Sequence, residues 1–250
     1  MTIGNRVAIL REKFAQSIGL PFAEILPESE IEQALQDEGV AYRKRLFCPI
    51  VTLWAWISQV LDKDKSCKNA LSRLISYLVA SGQPVPSTDT GGYCKARKRL
   101  PERLLLRLVR QTGKQSHAQS ETEFLWCGRR VAVFDGSSMT MADTSKNQKK
   151  YPQPKSQAKG CGFPQARIVC GFSLSTGAVL DAAFSPLSAG EVTLFRQLYG
   201  NLETNDVALG DRMFGSYANI CLLREDGVDS AFRVHGARKT DFRKGKRLAR

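Results

Sequence analysis

Histidine is nearly absent. The 250-residue sequence holds two, His117 and His235, and neither belongs to a compact Ser-His-Asp arrangement, so a nucleophilic triad is not supported. No run of about eighteen apolar residues occurs, so no membrane-spanning helix is expected. Met1 to Arg11 lacks the apolar core of a secretory signal. No Cys-x-x-Cys is found, and no internal repeat is visible. The seven cysteines, at 48, 67, 94, 127, 161, 170 and 221, are odd in number and scattered. That argues against a disulfide framework and a zinc site, and suits free thiols in a reducing cytoplasm. Acidic residues are also short: 24 Asp and Glu face 37 Lys and Arg, for a formal net charge of +13. The balance is −4 over residues 1–40, +11 over 41–130 and +6 over 131–250. A concentrated positive field attracts polyanions. Nucleic acid is the first candidate partner, and an anionic membrane surface the second.

What is present divides into a helical and a mixed part. A helix is expected over Val7–Ser17, broken by Gly19, Pro21 and Pro27, and another over Ile31–Asp37, with Ser29 and Glu32 placed as a capping box. Three-and-four spacing of apolar residues from Leu46 to Leu61 and from Leu71 to Leu78 predicts two more, and their tryptophans read as core. Gly82 to Gly92 reads as a loop. A short basic helix, Tyr93 to Leu100, then precedes an apolar one from Leu104 to Val109. A cationic helix of this kind suits DNA phosphates, with Lys95, Arg97, Lys98 and Arg99 as candidates; the alternative is a solvated charged face. Gln111 to Glu123 is polar and reads as a linker, with His117 exposed in it. Beyond Arg130 strands are expected at Val131–Phe134, Gln165–Leu174, Ala178–Phe184, Val207–Leu209 and Ser230–Val234. A hairpin turn falls at Ser175-Thr176-Gly177. Helices are expected after Ser188, capped by Glu191 and closed by Gly200, and over Tyr217–Glu225. The fold class is α/β: an N-terminal helical domain over 1–120, then a mixed sheet with flanking helices over 121–250.

Two strands end in the same way. Val131-Ala132-Val133-Phe134 runs into Asp135-Gly136, and Val207-Ala208-Leu209-Gly210 into Asp211. Carboxylates at strand ends are held rigidly and still reach solvent. Two of them can hold a divalent ion, and magnesium prefers such hard oxygen donors. Metal ions of this kind stabilise charge on the attacking and leaving oxygens of a phosphodiester. Each aspartate also has a plain alternative as a turn or cap residue. Asp181, mid-strand, and Asp206, before its strand, are worse placed.

Around these aspartates the sequence resembles the DDE transposases of the insertion sequence four family. Asp135-Gly136-Ser137-Ser138 is similar to the first-aspartate segment. Met141-x-Asp143-Thr144, Asn147-Gln148, Tyr151-Pro152-Gln153 and Gly160-x-Gly162-Phe163-Pro164-Gln165 follow in order. Gly210-Asp211-Arg212-x-Phe214-Gly215-Ser216-Tyr217 is similar to the second-aspartate segment. Tyr93-Cys94-Lys95-Ala96-Arg97 is similar to the end of the helical domain, and Arg233-x-His235 with Arg238 to Arg247 also fits. The likeness runs from about residue 40 to the end. It implies a ribonuclease-H-like catalytic core with Asp135 and Asp211 as catalytic metal ligands. It further implies Mg2+ (or Mn2+) as cofactor, DNA at insertion-element ends as partner, and strand cleavage and transfer as the reaction. Self-association on DNA is left open; no membrane partner is implied, and a cytoplasmic location is.

One part of the pattern is missing. The family's third ligand is a glutamate in Tyr-x-x-Arg-x-x-x-Glu-x-x-x-x-x-x-Lys, and no such pattern lies between Asp211 and Arg250. Glu225 follows Asp211 too closely, and Glu191 reads as a helix cap. The expectation is therefore an incomplete catalytic core with little activity, or a DNA-binding fragment that competes with a full-length transposase. Lys146, Lys149, Lys150, Lys155 and Lys159 are placed to follow a DNA backbone beside the site, with a solvated loop as the alternative. Arg212 is a phosphate-contact candidate, with an ion pair as its alternative.

Overall fold

The computed structural model describes residues 26–43, 45–80, 82, 85–158, 160–234 and 236. The helix expected at Val7–Ser17, Lys159, His235 and the basic run from Arg238 lie outside these. The chain divides into two compact units, Met1–Leu108 and Val109–Arg250.

The first unit is helical. It contains α1 (Glu28–Asp37), α2 (Pro49–Leu61), α3 (Cys67–Ala80), α4 (Gly91–Arg97) and the start of α5 (Glu102–Ala118). Pro49 opens α2, where its missing N–H costs no intrahelical bond. Ile31, Leu35, Ile50, Leu53, Leu104 and Leu108 form one core, because three-and-four spacing puts each set on one face. Trp54 packs against that core and donates from Nε1 to the Leu26 carbonyl at 3.3 Å, so it is a packing residue, as its spacing suggests. At the start of α3 the Ser66 hydroxyl accepts the Asn69 N–H at 3.1 Å. Helix α4 is pinned to α2 from within: Tyr93 Oη donates to Gln59 Oε1 at 2.7 Å, and Arg97 Nη1 donates to the same oxygen at 2.6 Å.

The second unit is built on β1 (Val131–Thr140), β2 (Gln165–Ser173), β3 (Val179–Pro186), β4 (Val207–Gly210) and β5 (Asp229–Phe232). The sheet order is β3-β2-β1-β4-β5. The first three strands run antiparallel, and β4 and β5 run parallel to β1. The connections between them carry α6 (Ser145–Lys150), α7 (Glu191–Leu198) and α8 (Tyr217–Glu225). This is the mixed sheet with flanking helices that the sequence predicts. Gly177, at φ 73°, lets the β2–β3 turn close.

Phe195 of α7 is the centre of the core. It is fully buried, edge-on to Phe134 at 4.9 Å and against Phe214 at 4.8 Å, Tyr199 at 5.3 Å and Phe232 at 6.0 Å. Phe195→Leu keeps the apolar character and loses these ring contacts. It is expected to destabilise the unit by roughly 1–3 kcal/mol, read as a lower urea midpoint at unchanged m-value.

Several local expectations are corrected. The polar segment from Gln111 is helical as far as Ala118, as part of α5, because its buried side is made of Gly113 and His117 rather than of large apolar residues. His117 is accordingly buried, at 5% exposure, and not exposed in a linker. Helix α7 starts at Glu191 with Gly190 before it and no side-chain cap; Glu191 instead pairs with Arg167. Helix α1 likewise follows Pro27 without a Ser29 cap. Strand β1 runs six residues beyond Phe134, to Thr140, because β2 pairs with it along its full length to Gln165. The lysine-rich segment contains a short helix, α6, capped by the Thr144 side chain, which accepts the Asn147 N–H at 3.2 Å.

Candidate active site

Strand order brings the two aspartates together, but only Asp211 follows a strand end; Asp135 lies midway along β1, because β2 pairs with that strand as far as Thr140. In the parallel β1–β4 pair, Phe134 stands opposite Gly210. Asp135 and Asp211 are the next residues on each strand, and neighbouring strands lie about 4.8 Å apart. Both side chains are exposed. Asp211 Oδ1 accepts the Met213 N–H at 2.7 Å, which turns the chain out of β4 and leaves its second oxygen unused by that bond. Asp135 Oδ1 accepts the Gly136 N–H at 2.9 Å.

The sheet's alternation decides which face the site uses. Ala132 and Phe134 are buried in the core, and Phe134 meets Phe195 of α7. Asp135, one residue on, points to the opposite face. Its antiparallel partner there is Cys170. Burial, and then the charges of Asp181 and Asp135, push the Cys170 thiol above its ordinary value. Gly136 returns to the α7 face. A Cβ there would come within 2.9 Å of the Glu191 carboxyl, so glycine is what lets Glu191 sit beneath β1 and accept from Arg167 Nη1 at 3.1 Å. Glu191 is therefore held on the face away from Asp135. Glu225 is the last residue of α8, a helix about 13 Å long that leads back from the Asp211 end of β4. Among the described residues no group of three or more His, Cys, Asp or Glu side chains assembles for a metal.

The other candidates fall into distinct settings. Arg212 is exposed beside Asp211, and no ion pair involves it among the described residues. Lys149 and Lys150 lie in the last turn of α6, both exposed, with Lys150 Nζ 5.2 Å from the Tyr151 ring centre. The glutamines of the motif-rich loop are structural ties. Gln148 Nε2 donates to Asp143 Oδ1 at 2.8 Å and to the Gly162 carbonyl at 3.0 Å. Gln153 Oε1 accepts the N–H groups of Gly160 and Gly162, at 3.0 and 3.3 Å. Asp181 and Asp206 are buried in ion pairs with Arg110 and Arg130, each at 2.9 Å.

In the helical unit, Lys95, Lys98 and Arg99 are exposed, whereas Arg97 turns inward to Gln59, with its guanidinium 5.6 Å from the Tyr93 ring centre. A cleft of about 780 Å³ runs beside α4. It is lined by Arg43, Arg45, Lys95 and Arg99, with Tyr42 and Phe47 among its walls. Arg43 and Arg45 escaped the sequence reading, because they lie outside any helix and reach the cleft only through the fold.

The class of protein this sheet and carboxylate pair define is matched by comparison. A family model described as "Transposase DDE domain" matches residues 126–250, half of the chain. The chain belongs to the DDE transposases, and within them to the insertion sequence four type. The transposase InsG for insertion sequence element IS4, from Escherichia coli (strain K12), is 24% identical over 187 residues, 74% of this chain. The chain spans 41% of the length of that relative. Among solved structures, the piggyBac transposase in its synaptic complex with hairpin DNA is similar at 10% identity, with a TM-score of 0.40. That likeness covers 90% of this chain and 52% of that one.

Proposed function

We propose that the chain binds DNA at the ends of a bacterial insertion sequence and contributes to metal-dependent strand cleavage and transfer there. The observation that carries this reading is the parallel pairing of β1 with β4, which sets Asp135, midway along β1, next to Asp211, the residue that follows β4. Their exposed carboxylate oxygens are the hard donors that Mg2+ or Mn2+ takes, and two such residues suit an ion that keeps waters and substrate phosphates as its other ligands. When bound, the metal supplies charge stabilisation at the scissile phosphate. The chain's own part is to hold those ligands on rigid strands, to present Arg212 to a neighbouring phosphate, and to hold the DNA through Lys149 and Lys150 beside the site. Within this reading, residues 1–120 bind DNA and residues 121–250 form a ribonuclease-H-like core, which the β3-β2-β1-β4-β5 order supports. Within this reading the protein acts in the cytoplasm.

The direct test is a Mn2+ titration of the whole chain, followed by calorimetry or paramagnetic broadening. Asp135→Asn and Asp211→Asn are each expected to weaken Mn2+ binding by at least about tenfold, since each removes one charged ligand from a pair. Affinity unchanged in both variants would refute the site.

A second reading, DNA binding without cleavage, is favoured by the two nearby glutamates: Glu191 is held by Arg167 on the other face, and Glu225 lies at the far end of α8. On that reading this chain bound to element-end DNA with Mg2+ gives little cleavage and competes with a full-length transposase. Robust cleavage, abolished by Asp135→Asn, would overturn it.

A further inference from the structure

The helical unit pairs most of its described arginines. Arg73 meets Asp62 at 2.7 Å, Arg103 meets Glu38 at 3.6 Å, Arg107 pairs with Asp37 and Glu38, and Arg97 donates to Gln59. The cations of the cleft are different. Arg43, Arg45, Lys95 and Arg99 are exposed, no acidic residue lines the cleft with them, and no ion pair involves them among the described residues. Lys95 and Arg99 are four residues apart, so they stand on one side of the chain there, while Arg43 and Arg45 come from the segment before α2. Like charges gathered in a concave site repel one another until an anion enters, and low-dielectric walls strengthen the field they present.

The walls say which anion. Tyr42 is 37% exposed, and Phe47 is half-buried, its ring 6.0 Å from that of Tyr93. Gly92 allows this, since a Cβ there would come 3.2 Å from the Phe47 ring. Burial first, and then Cys48, Glu32 and Glu28, raise the Tyr42 phenol above its ordinary value. Aromatic faces interleaved with unpaired cations are the elements of a single-strand site, in which bases stack and phosphates are neutralised. The volume, about 780 Å³, is that of a site enclosing one small ligand. It holds a base or two, not a base-paired stack. Helix α4 is also ill-suited to reading a duplex groove, with seven residues and its Arg97 turned inward.

We infer that this cleft binds a short single strand of nucleic acid, with bases stacked on Tyr42 and Phe47 and the backbone held by Arg43, Arg45, Lys95 and Arg99. The inference rests on the DNA-binding reading above and specifies the strand form that the helical unit takes.

The experiment uses the full chain and a fluorescent eight-nucleotide oligothymidine, with a duplex of equal length measured in parallel across a salt series. The single strand is expected to bind with a log–log salt slope of roughly −2 to −3, as for up to four neutralised phosphates. Arg43→Ala with Arg45→Ala should make that slope shallower by about 1.4. Tyr42→Ala should weaken the oligothymidine on the order of tenfold while leaving the duplex nearly unchanged. Lys63→Ala with Lys68→Ala, exposed residues elsewhere in the unit, is the control and should have little effect. A thiothymidine-containing strand should crosslink to the peptide carrying Tyr42 and Phe47. All these variants are at exposed positions, and circular dichroism checks that each is folded. Single-strand binding indifferent to Tyr42 and to both arginines, with duplex binding intact, would sink the cleft and leave the DNA-binding reading standing. Arginine variants that weaken duplex and single strand alike, with no effect at Tyr42, would make this a duplex phosphate site and overturn the inference. Binding of neither nucleic acid would remove both readings.

Discussion

Gly113→Ala is expected to destabilise the Val109–Arg250 unit by about 3–5 kcal/mol, against the usual sign of such a change. Gly113 lies inside α5, where alanine is normally the better helix former by about 1 kcal/mol. Here a Cβ would stand 2.2 Å from the Val179 carbonyl oxygen and 2.9 Å from Leu180 Cα. Those are backbone atoms of β3, and no rotamer change moves them aside. The helix must withdraw as a body, and two polar ties on either side of Gly113 would stretch with it. Arg110 Nε donates to Asp181 Oδ1 at 2.9 Å, and His117 Nδ1 lies 2.9 Å from Ser173 Oγ. Asp181 is 1% exposed, so a carboxylate stripped of Arg110 there is costly even though Arg110 itself is half-exposed. Urea unfolding, with hydrogen exchange over β2 and β3 as the local readout, measures the effect. An alanine variant as stable as the parent would show that α5 does not approach β3 so closely.

That contact also shows why part of the fold was hidden in the sequence. Large apolar residues at regular spacing disclose an element, and α2, α3, the hairpin of β2 and β3, and α8 all carry that signal. The last turns of α5 do not. Their inward side is a glycine and a histidine among glutamines and serines, so the segment looks like a linker. It is ordered by close backbone approach and by ion pairs, which leave no periodic trace. Thr144 carries a capping signature for α6, but six residues are too few for periodicity to show.

The site was legible to a similar depth. Each aspartate stands after an apolar run, and that much can be read locally; the end of β4 falls where the run stops, whereas β1 continues to Thr140 through its pairing with β2. Their adjacency cannot, because it depends on β4 pairing in parallel with β1 after a hairpin and a helix have intervened. The role of Gly136 is likewise invisible until Glu191 is seen beneath it. Single basic residues are the least legible of all. Arg97 and Arg99 have the same chemistry two positions apart, yet one binds Gln59 in the interior and the other lines a cleft, a division that the packing of α4 on α2 makes.

Asp206→Asn is the second large effect, and its signature is in the pH dependence. Asp206 is 2% exposed and joins three groups: Arg130 Nε donates to Oδ1 at 2.9 Å, the Glu203 N–H donates to Oδ2 at 2.9 Å, and His117 Nε2 lies 3.8 Å from Oδ2. Burial alone would raise its pKa. His117, the Glu203 N–H and Arg130 outweigh burial, and the carboxyl is held below its ordinary value. A carboxylate whose folded pKa is depressed contributes stability that is fully present above its unfolded value, near 3.9, and is lost as pH falls through the lower folded value. The parent unit should therefore lose stability steeply below about pH 4. Near neutral pH, Asp206→Asn removes the charge facing a partly buried guanidinium and is expected to cost about 3 kcal/mol, the lower end of the range for breaking a buried pair because Arg130 keeps Glu203 at 2.7 Å. The variant's stability should then vary less with pH on the acid side, so the two curves converge as pH falls. Glu203→Gln supplies the contrast: its carboxylate is 44% exposed, and its loss should cost under about 1 kcal/mol. Denaturant midpoints at pH 7, 4 and 3, the last inside the window where the carboxylate protonates, decide the matter. Parallel curves for parent and Asp206→Asn would mean that the charge of Asp206 does not hold Arg130 and the start of β1 against β4.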